Sequence, residues 1–250
     1  MKLYTVITGA SSGIGKEAAK IFASHGKNLI LVARRQERLK QLKEEIQRRF
    51  PEIDVMVQTA DLSKPEEAYR LYESLKPYTI NTWINNAGRG YQSKIADQDS
   101  EIALQMIRLN VEALTILSTL YAHDHQDMDG TQLINVSSVA GYMIFPDVVT
   151  YSASKYYVSA FTEGLAQELK NGEHKLQAKV LAPAAVQTEF AQVEQNMDFF
   201  DYDKAFPHYH TAAQMAQFLW ELYESDKCVG SVKFEPFTFC LDDPRYPYLG

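Results

Sequence analysis

The residues with the clearest chemical potential are Tyr151 and Lys155, in the stretch YSASK. On a helix, positions i and i+4 share a face, so phenol and ammonium can address one ligand. A free phenol, with a pKa of ~10, is a poor acid–base partner at neutral pH. A neighbouring ammonium favours the phenolate, and a drop of about three units corresponds to roughly 4 kcal/mol of differential interaction. That brings the group close to working pH, where proton transfer is efficient. Upstream, Ser137 and Ser138 end an apolar run. Adjacent strand residues point to opposite faces, so only one of these serines can meet Tyr151. His123 with His125, and His208 with His210, lack a supporting cysteine or acidic cluster at metal-binding spacing. They read as solvated histidines, and no metal is expected.

A second group of residues has the chemistry to hold a cofactor. TGASSGIG, residues 8–15, follows a strand-like run and opens a helical pattern. Gly9 permits a tight turn, while Gly13 and Gly15 let backbone approach a ligand. The free N–H groups of the following helix suit a pyrophosphate. At the end of the next apolar run stands Ala33-Arg34-Arg35, where an acidic residue would be needed to accept from an NAD ribose hydroxyl. Two guanidiniums can bind a 2′-phosphate instead, so the expected cofactor is NADP (NADPH).

Elements that position these groups alternate along the chain. Strand LYTVIT (Leu3–Thr8) is followed by a helix with Ile14, Ala18, Ile21 and Phe22 on one face, stopped by Gly26. NLILVA (Asn28–Ala33) is continuously apolar, as in a parallel strand buried on both faces. Its helix carries Leu39, Leu42 and Ile46 and ends at Pro51. DVMVQ precedes a helix near Lys64–Leu75, and TWIN precedes a long helix near Gln98–His123. QLINVS precedes a helix starting near Tyr151. QAKVLA, a helix near Thr211–Glu224 and a final strand within SVKFEPFTFC follow. This alternation predicts an α/β chain, a Rossmann-like doubly wound parallel sheet flanked by helices. No linker-like composition or internal repeat divides it, so residues 1–250 read as one domain.

Composition excludes other classes. Of 250 residues, 46% are hydrophobic and 23% charged, enough apolar material for a large core. Net charge is −7 with lysine and arginine scattered, which argues against nucleic acid and anionic lipid as partners. Cys228 and Cys240 form neither a disulfide framework nor a zinc spacing. There is no apolar run of membrane-spanning length and no leader-like N-terminus, so a cytoplasmic location is expected. Asn135-Val-Ser137 matches a glycosylation acceptor but lies in an apolar strand.

Together these motifs resemble the short-chain dehydrogenase/reductase family, in order over about residues 3–190. TGASSGIG resembles its cofactor loop, contributing Gly9, Ser11, Ser12, Gly13, Ile14 and Gly15. Asp61-Leu62 is similar to the pair beside the adenine. NNAG (Asn85–Gly88) is similar to the segment that steadies the central sheet and passes under the cofactor, through Asn86, Ala87 and Gly88. Asn110, Ser138, Tyr151 and Lys155 fall where the family's catalytic four fall, and that spacing selects Ser138 over Ser137. PAAVQT resembles the segment that holds the nicotinamide, with Pro183, Val186 and Thr188; Ala184 replaces the usual glycine.

The resemblance implies a sheet of about seven parallel strands and a carbonyl or alcohol substrate. Tyr151 would protonate the substrate oxygen, and Lys155 would tune it and bind the nicotinamide ribose. Ser138 would orient the carbonyl, and Asn110 would hold a proton-relay water. It also implies a homodimer through the two long helices, with Leu109, Leu114, Leu117, Val158, Phe161 and Leu165 as apolar candidates. The ending CLDDPRYPYLG departs from the usual glycine-rich one and makes a tetramer the lesser option. Residues 187–211 are irregular and aromatic (Phe190, Phe199, Phe200, Tyr202, Phe206, Tyr209), interrupted by Asp198, Asp201 and Asp203. They read as a substrate lid. With Tyr91, Tyr142, Met143 and Phe145 opposite, the expected substrate is an apolar or aromatic ketone. The alternatives are a 3-oxoacyl or 3-hydroxy acid enzyme and an inactive nucleotide-binding regulator.

Overall fold

The structure, a computed structural model, describes residues 2–195 and 200–249. The first half alternates β1 (Leu3–Thr8), α1 (Gly13–Ser24), β2 (Asn28–Ala33), α2 (Gln36–Arg49), β3 (Val55–Thr59), α3 (Pro65–Leu75) and β4 (Thr79–Asn85). Then come α4 (Ser100–Ile107), α5 (Leu114–His125), β5 (Gln132–Val136), α6 (Val149–Asn171) and β6 (Gln177–Ala182). The last part holds β7 (Val186–Gln187), α7 (Phe190–Gln195), α8 (Tyr202–Ala205), β8 (His210–Thr211), α9 (Ala212–Glu224), β9 (Val229–Lys233) and β10 (Thr238–Asp242).

Seven strands run parallel in the order β9-β6-β5-β4-β1-β2-β3. The strand order reverses between β1 and β4, the switch point where such sheets open a crevice at the strands' carboxyl ends. An eighth strand, β10, pairs antiparallel with β9. The single final strand expected from SVKFEPFTFC is therefore a hairpin, its two arms separated by Phe234–Phe237. Antiparallel partners need only a short connection, so one aromatic-rich run of ten residues supplies parts of both arms.

Each strand supplies two faces. Leu29, Leu31 and Ala33 join α1, α2 and α9 in one apolar layer, including Phe22, Leu39 and Leu219. Ile30 and Val32 join α3, α5 and α6 in the other, with Trp83, Leu117 and Tyr121. Alternation within a continuously apolar strand thus feeds two cores.

Two further departures from the sequence expectation matter for the site. The helix expected near Gln98–His123 is interrupted by a π-helical turn at Arg108–Ala113, which contains Asn110. Such turns insert one residue and re-aim side chains. His210, expected to be solvated in a loop, is instead buried on β8, stacked on Phe237 with ring centroids 4.6 Å apart. Burial of this imidazole pulls its pKa below the ordinary value.

Candidate active site

Six of the parallel strands deliver candidate residues at their carboxyl ends: Gly9 after β1, Arg34 after β2, Asp61 after β3, Asn86 after β4, Ser138 after β5 and Pro183 after β6. The glycine loop turns with positive φ at Gly9 (+69°) and Gly13 (+54°). An added Cβ at Gly15 would run into Asn86 Nδ2 and stand 2.6 Å from the Gly9 carbonyl oxygen, so a side chain there collides. Asn86 braces the loop: its Nδ2 donates to the Thr8 carbonyl at 2.9 Å, while Asn86 N and Ala87 N both donate to Thr8 Oγ1 at 3.0 Å. The Asn86 side chain therefore acts on the loop's backbone. Asp61 closes its own turn by accepting from Ser63 N and Oγ, and Leu62 is buried.

Helix α1 begins with no side-chain cap and no acidic residue in its first turn. Its first N–H groups and positive dipole end suit an anion. Ser12, at the cap position, accepts from Arg35 instead of from the helix, and Ser11 does likewise. Arg34 is exposed and makes no hydrogen bond to the described residues. Thr188 packs over the loop, with its Cγ2 3.1 Å from where a Gly13 Cβ would be. Glycines that admit backbone contact, an uncapped helix start and nearby arginines are the donor set a dinucleotide phosphate requires, so these residues fit the cofactor.

Tyr151 and Lys155 share one face of α6. Lys155 Nζ lies 5.8 Å from the Tyr151 ring centroid and donates to the Val136 carbonyl at 2.9 Å. Lys155 is buried, and that burial pulls its ammonium down to about 8. An added Cβ at Gly88 would be 3.5 Å from Lys155 Nζ and 3.3 Å from Asn110 Oδ1, so a side chain there would press on the Asn110 amide. Asn110 is buried; its Nδ2 donates to the Arg89 carbonyl at 2.9 Å and to Ser154 Oγ at 3.2 Å, and its Oδ1 accepts from Arg89 N at 3.0 Å. Its amide clamps the loop after β4 to α6. The two serines diverge as strand alternation requires. Ser137 is buried against α6, donating to the Lys155 carbonyl at 2.9 Å and meeting Ser159 Oγ at 2.7 Å. Ser138 Oγ accepts from Ala140 N at 3.1 Å and lies 3.4 Å from the Pro183 carbonyl.

Pairing of β7 with β8 closes the base of the 187–211 excursion. Tyr202 is folded back on Thr188, donating to its carbonyl at 3.1 Å and accepting from its N–H at 3.3 Å. Phe200, Tyr202 and Phe206 cluster with ring centroids 4.8–6.0 Å apart. Phe190 reaches the candidate centre, its ring centroid 5.9 Å from that of Tyr151. Asp198 and Phe199 lie outside the described residues. Two contributors escape a sequence reading, Glu189 and Arg38, which form an ion pair across the glycine loop. Contact between residues so far apart in the chain leaves no local signal. Among the described residues no cluster of metal ligands occurs, and no helix is long and apolar enough to cross a membrane.

Comparison with known proteins agrees with this fold. The family model for short chain dehydrogenase matches residues 4–198. An uncharacterized oxidoreductase of Staphylococcus saprophyticus is 36% identical over 189 residues, 74% of each chain. Dehydrogenase/reductase SDR family member 11 of Gallus gallus is 31% identical over 192 residues, 74% of this chain and 75% of that one. Among solved structures, the short-chain dehydrogenase from Sphingobium yanoikuyae in complex with NADPH superposes with a TM-score of 0.82 at 27% identity, covering 92% of this chain and 87% of that one.

Proposed function

The chain belongs to the short-chain dehydrogenase/reductase family and is an oxidoreductase of alcohol and carbonyl groups; from that premise we propose an NADPH-dependent reductase of apolar or aromatic ketones, working as a homodimer. The observation that carries this reading is the placement of Tyr151 beside the buried Lys155, on one face of α6 and at the sheet end that carries the glycine loop. When bound, the dihydronicotinamide supplies the hydride.

The chain's residues do the rest. Tyr151 gives its phenolic proton to the substrate oxygen. Lys155, in its ammonium form, makes the phenolate a better leaving partner and donates to the nicotinamide ribose. Ser138 donates to the carbonyl oxygen and sets its direction. Asn110 fixes the loop after β4 and, with Gly88, the space in front of Lys155. Arg34 and Arg35 would take the ribose 2′-phosphate, a reading supported by the Arg35 guanidinium beside Ser11 and by the NADPH complex of a 27%-identical relative. Phe190 stands against Tyr151, and Phe200 and Phe206, which cluster with Tyr202, would extend an apolar lining on the substrate side, which supports a hydrophobic ketone over a sugar or a highly charged acid. The test is NADPH consumption with such a ketone by the wild type and by Tyr151→Phe, alongside calorimetric NADPH binding. Rate loss with binding retained is expected; a variant that keeps most of the rate overturns the reading.

A further inference from the structure

Glu189 stands between Thr188 and the start of α7, at the root of the lid segment. Its carboxylate accepts from Arg35 Nη1 at 2.8 Å and from Arg38 Nη1 at 2.6 and 2.9 Å. The other Arg35 donors lie on the glycine loop: Nε and Nη2 reach Ser11 Oγ at 3.1 and 3.0 Å, and Nη2 reaches Ser12 Oγ at 2.7 Å. One acid therefore ties the lid root to α2 and, through Arg35, to the phosphate loop. Burial pushes the Glu189 carboxyl up, but the hydrogen bonds and charges of the two arginines outweigh it, and it lies below its usual range. It is anionic at neutral pH.

Carboxylate and phosphate monoester are alternative ligands of the same guanidinium fork. Both cannot take Arg35 Nη1, and two anions so close repel. We propose that Glu189 is a specificity-determining internal competitor: its carboxylate fills the arginine fork that a ribose 2′-phosphate takes, and binding that phosphate displaces the lid root. This rests on the reading of Arg34 and Arg35 as the 2′-phosphate site. Phe190, the next residue, packs against Tyr151, so displacement of Glu189 is transmitted to the ring that flanks the phenol. Cofactor identity and lid position are thus linked through one side chain. An unphosphorylated ribose has no charge with which to displace the acid.

The experiment is calorimetric titration of the wild type and Glu189→Gln with adenosine 2′,5′-bisphosphate and with 5′-ADP, at low ionic strength. Glu189 is half-exposed, and Gln keeps its size, so melting temperatures confirm the fold. Glu189→Gln is expected to tighten the 2′-phosphorylated fragment on the order of tenfold, the loss of one charged competitor, and to leave 5′-ADP unchanged. If the wild type prefers the 2′-phosphate and the variant does not widen that preference, the competitor role is wrong and the NADPH reading stands. If neither protein distinguishes the two fragments, the arginine assignment fails and the proposal with it. A preference that emerges only in the variant supports the competitor directly.

Discussion

Lys155 carries the strongest electrostatic signature at the site. It is buried, its one acceptor among the described residues is the Val136 carbonyl, and desolvation takes its pKa from the ordinary 10.5 to about 8. Below pH 8 both folded and unfolded chains carry the proton, and the folded chain bears the full cost of burying the charge. Between pH 8 and 10.5 the unfolded chain binds more protons, so stability rises with pH. For the apoprotein this amounts to about 2 kcal/mol between pH 8 and 10, measured as wild type minus Lys155→Met in urea titrations. A difference that is flat across that window would show that the lysine is solvated. The Tyr151–Lys155 pair was legible because helical spacing is a local code. The amide task of Asn110 was not, since its partners, Arg89 and Ser154, are brought to it by the fold.

Elements were legible where periodicity spoke and illegible where tertiary contact decided. The continuous apolar strands and the helices between them follow from pattern alone. The π-helical turn around Asn110 has no periodic signal, because inserting one residue shifts the face without changing composition. Lys179 in the middle of β6 looks misplaced in sequence; in the fold its ammonium donates to the carbonyls of Leu222, Tyr223 and Ser225 at the end of α9. The C-terminal tail depends on another distant partner, the buried Glu163 of α6. Its carboxylate accepts from Tyr142 Oη, Arg245 N and Tyr246 N. Glu163→Ala strands these donors and is expected to cost about 3 kcal/mol in urea unfolding and to expose residues beyond β10 to protease. Wild-type stability in that variant would mean that the tail docks by its aromatic rings alone.

At the scale of the whole molecule, the expected two-fold contact must be redrawn residue by residue. Leu114, Leu117 and Val158 are buried within the protomer and belong to its own core. Leu104 and Ile107 on α4 and Tyr157 on α6 remain exposed, and Tyr157 stacks on Phe161 at 5.8 Å. These are the side chains a second copy would cover. The sheet edge beyond β9 is taken by the chain's own β10, and the tail is tied back to Glu163, which favours a dimer over a tetramer. Sedimentation at micromolar concentration is expected to give a dimer, and Leu104→Glu with Tyr157→Glu a folded monomer; a monomeric wild type refutes the assembly. The central claim concerns the tyrosine, and one measurement reaches it most directly: deuteride transfer from 4-deuterated NADPH to an apolar ketone, followed by mass spectrometry in single turnover. The wild type is expected to place deuterium on the carbinol carbon. Tyr151→Phe, with NADPH affinity unchanged, is expected to do so slower by about 10²- to 10⁴-fold, the usual worth of a positioned proton donor. Equal rates in the two proteins would contradict the assignment of Tyr151 as that donor.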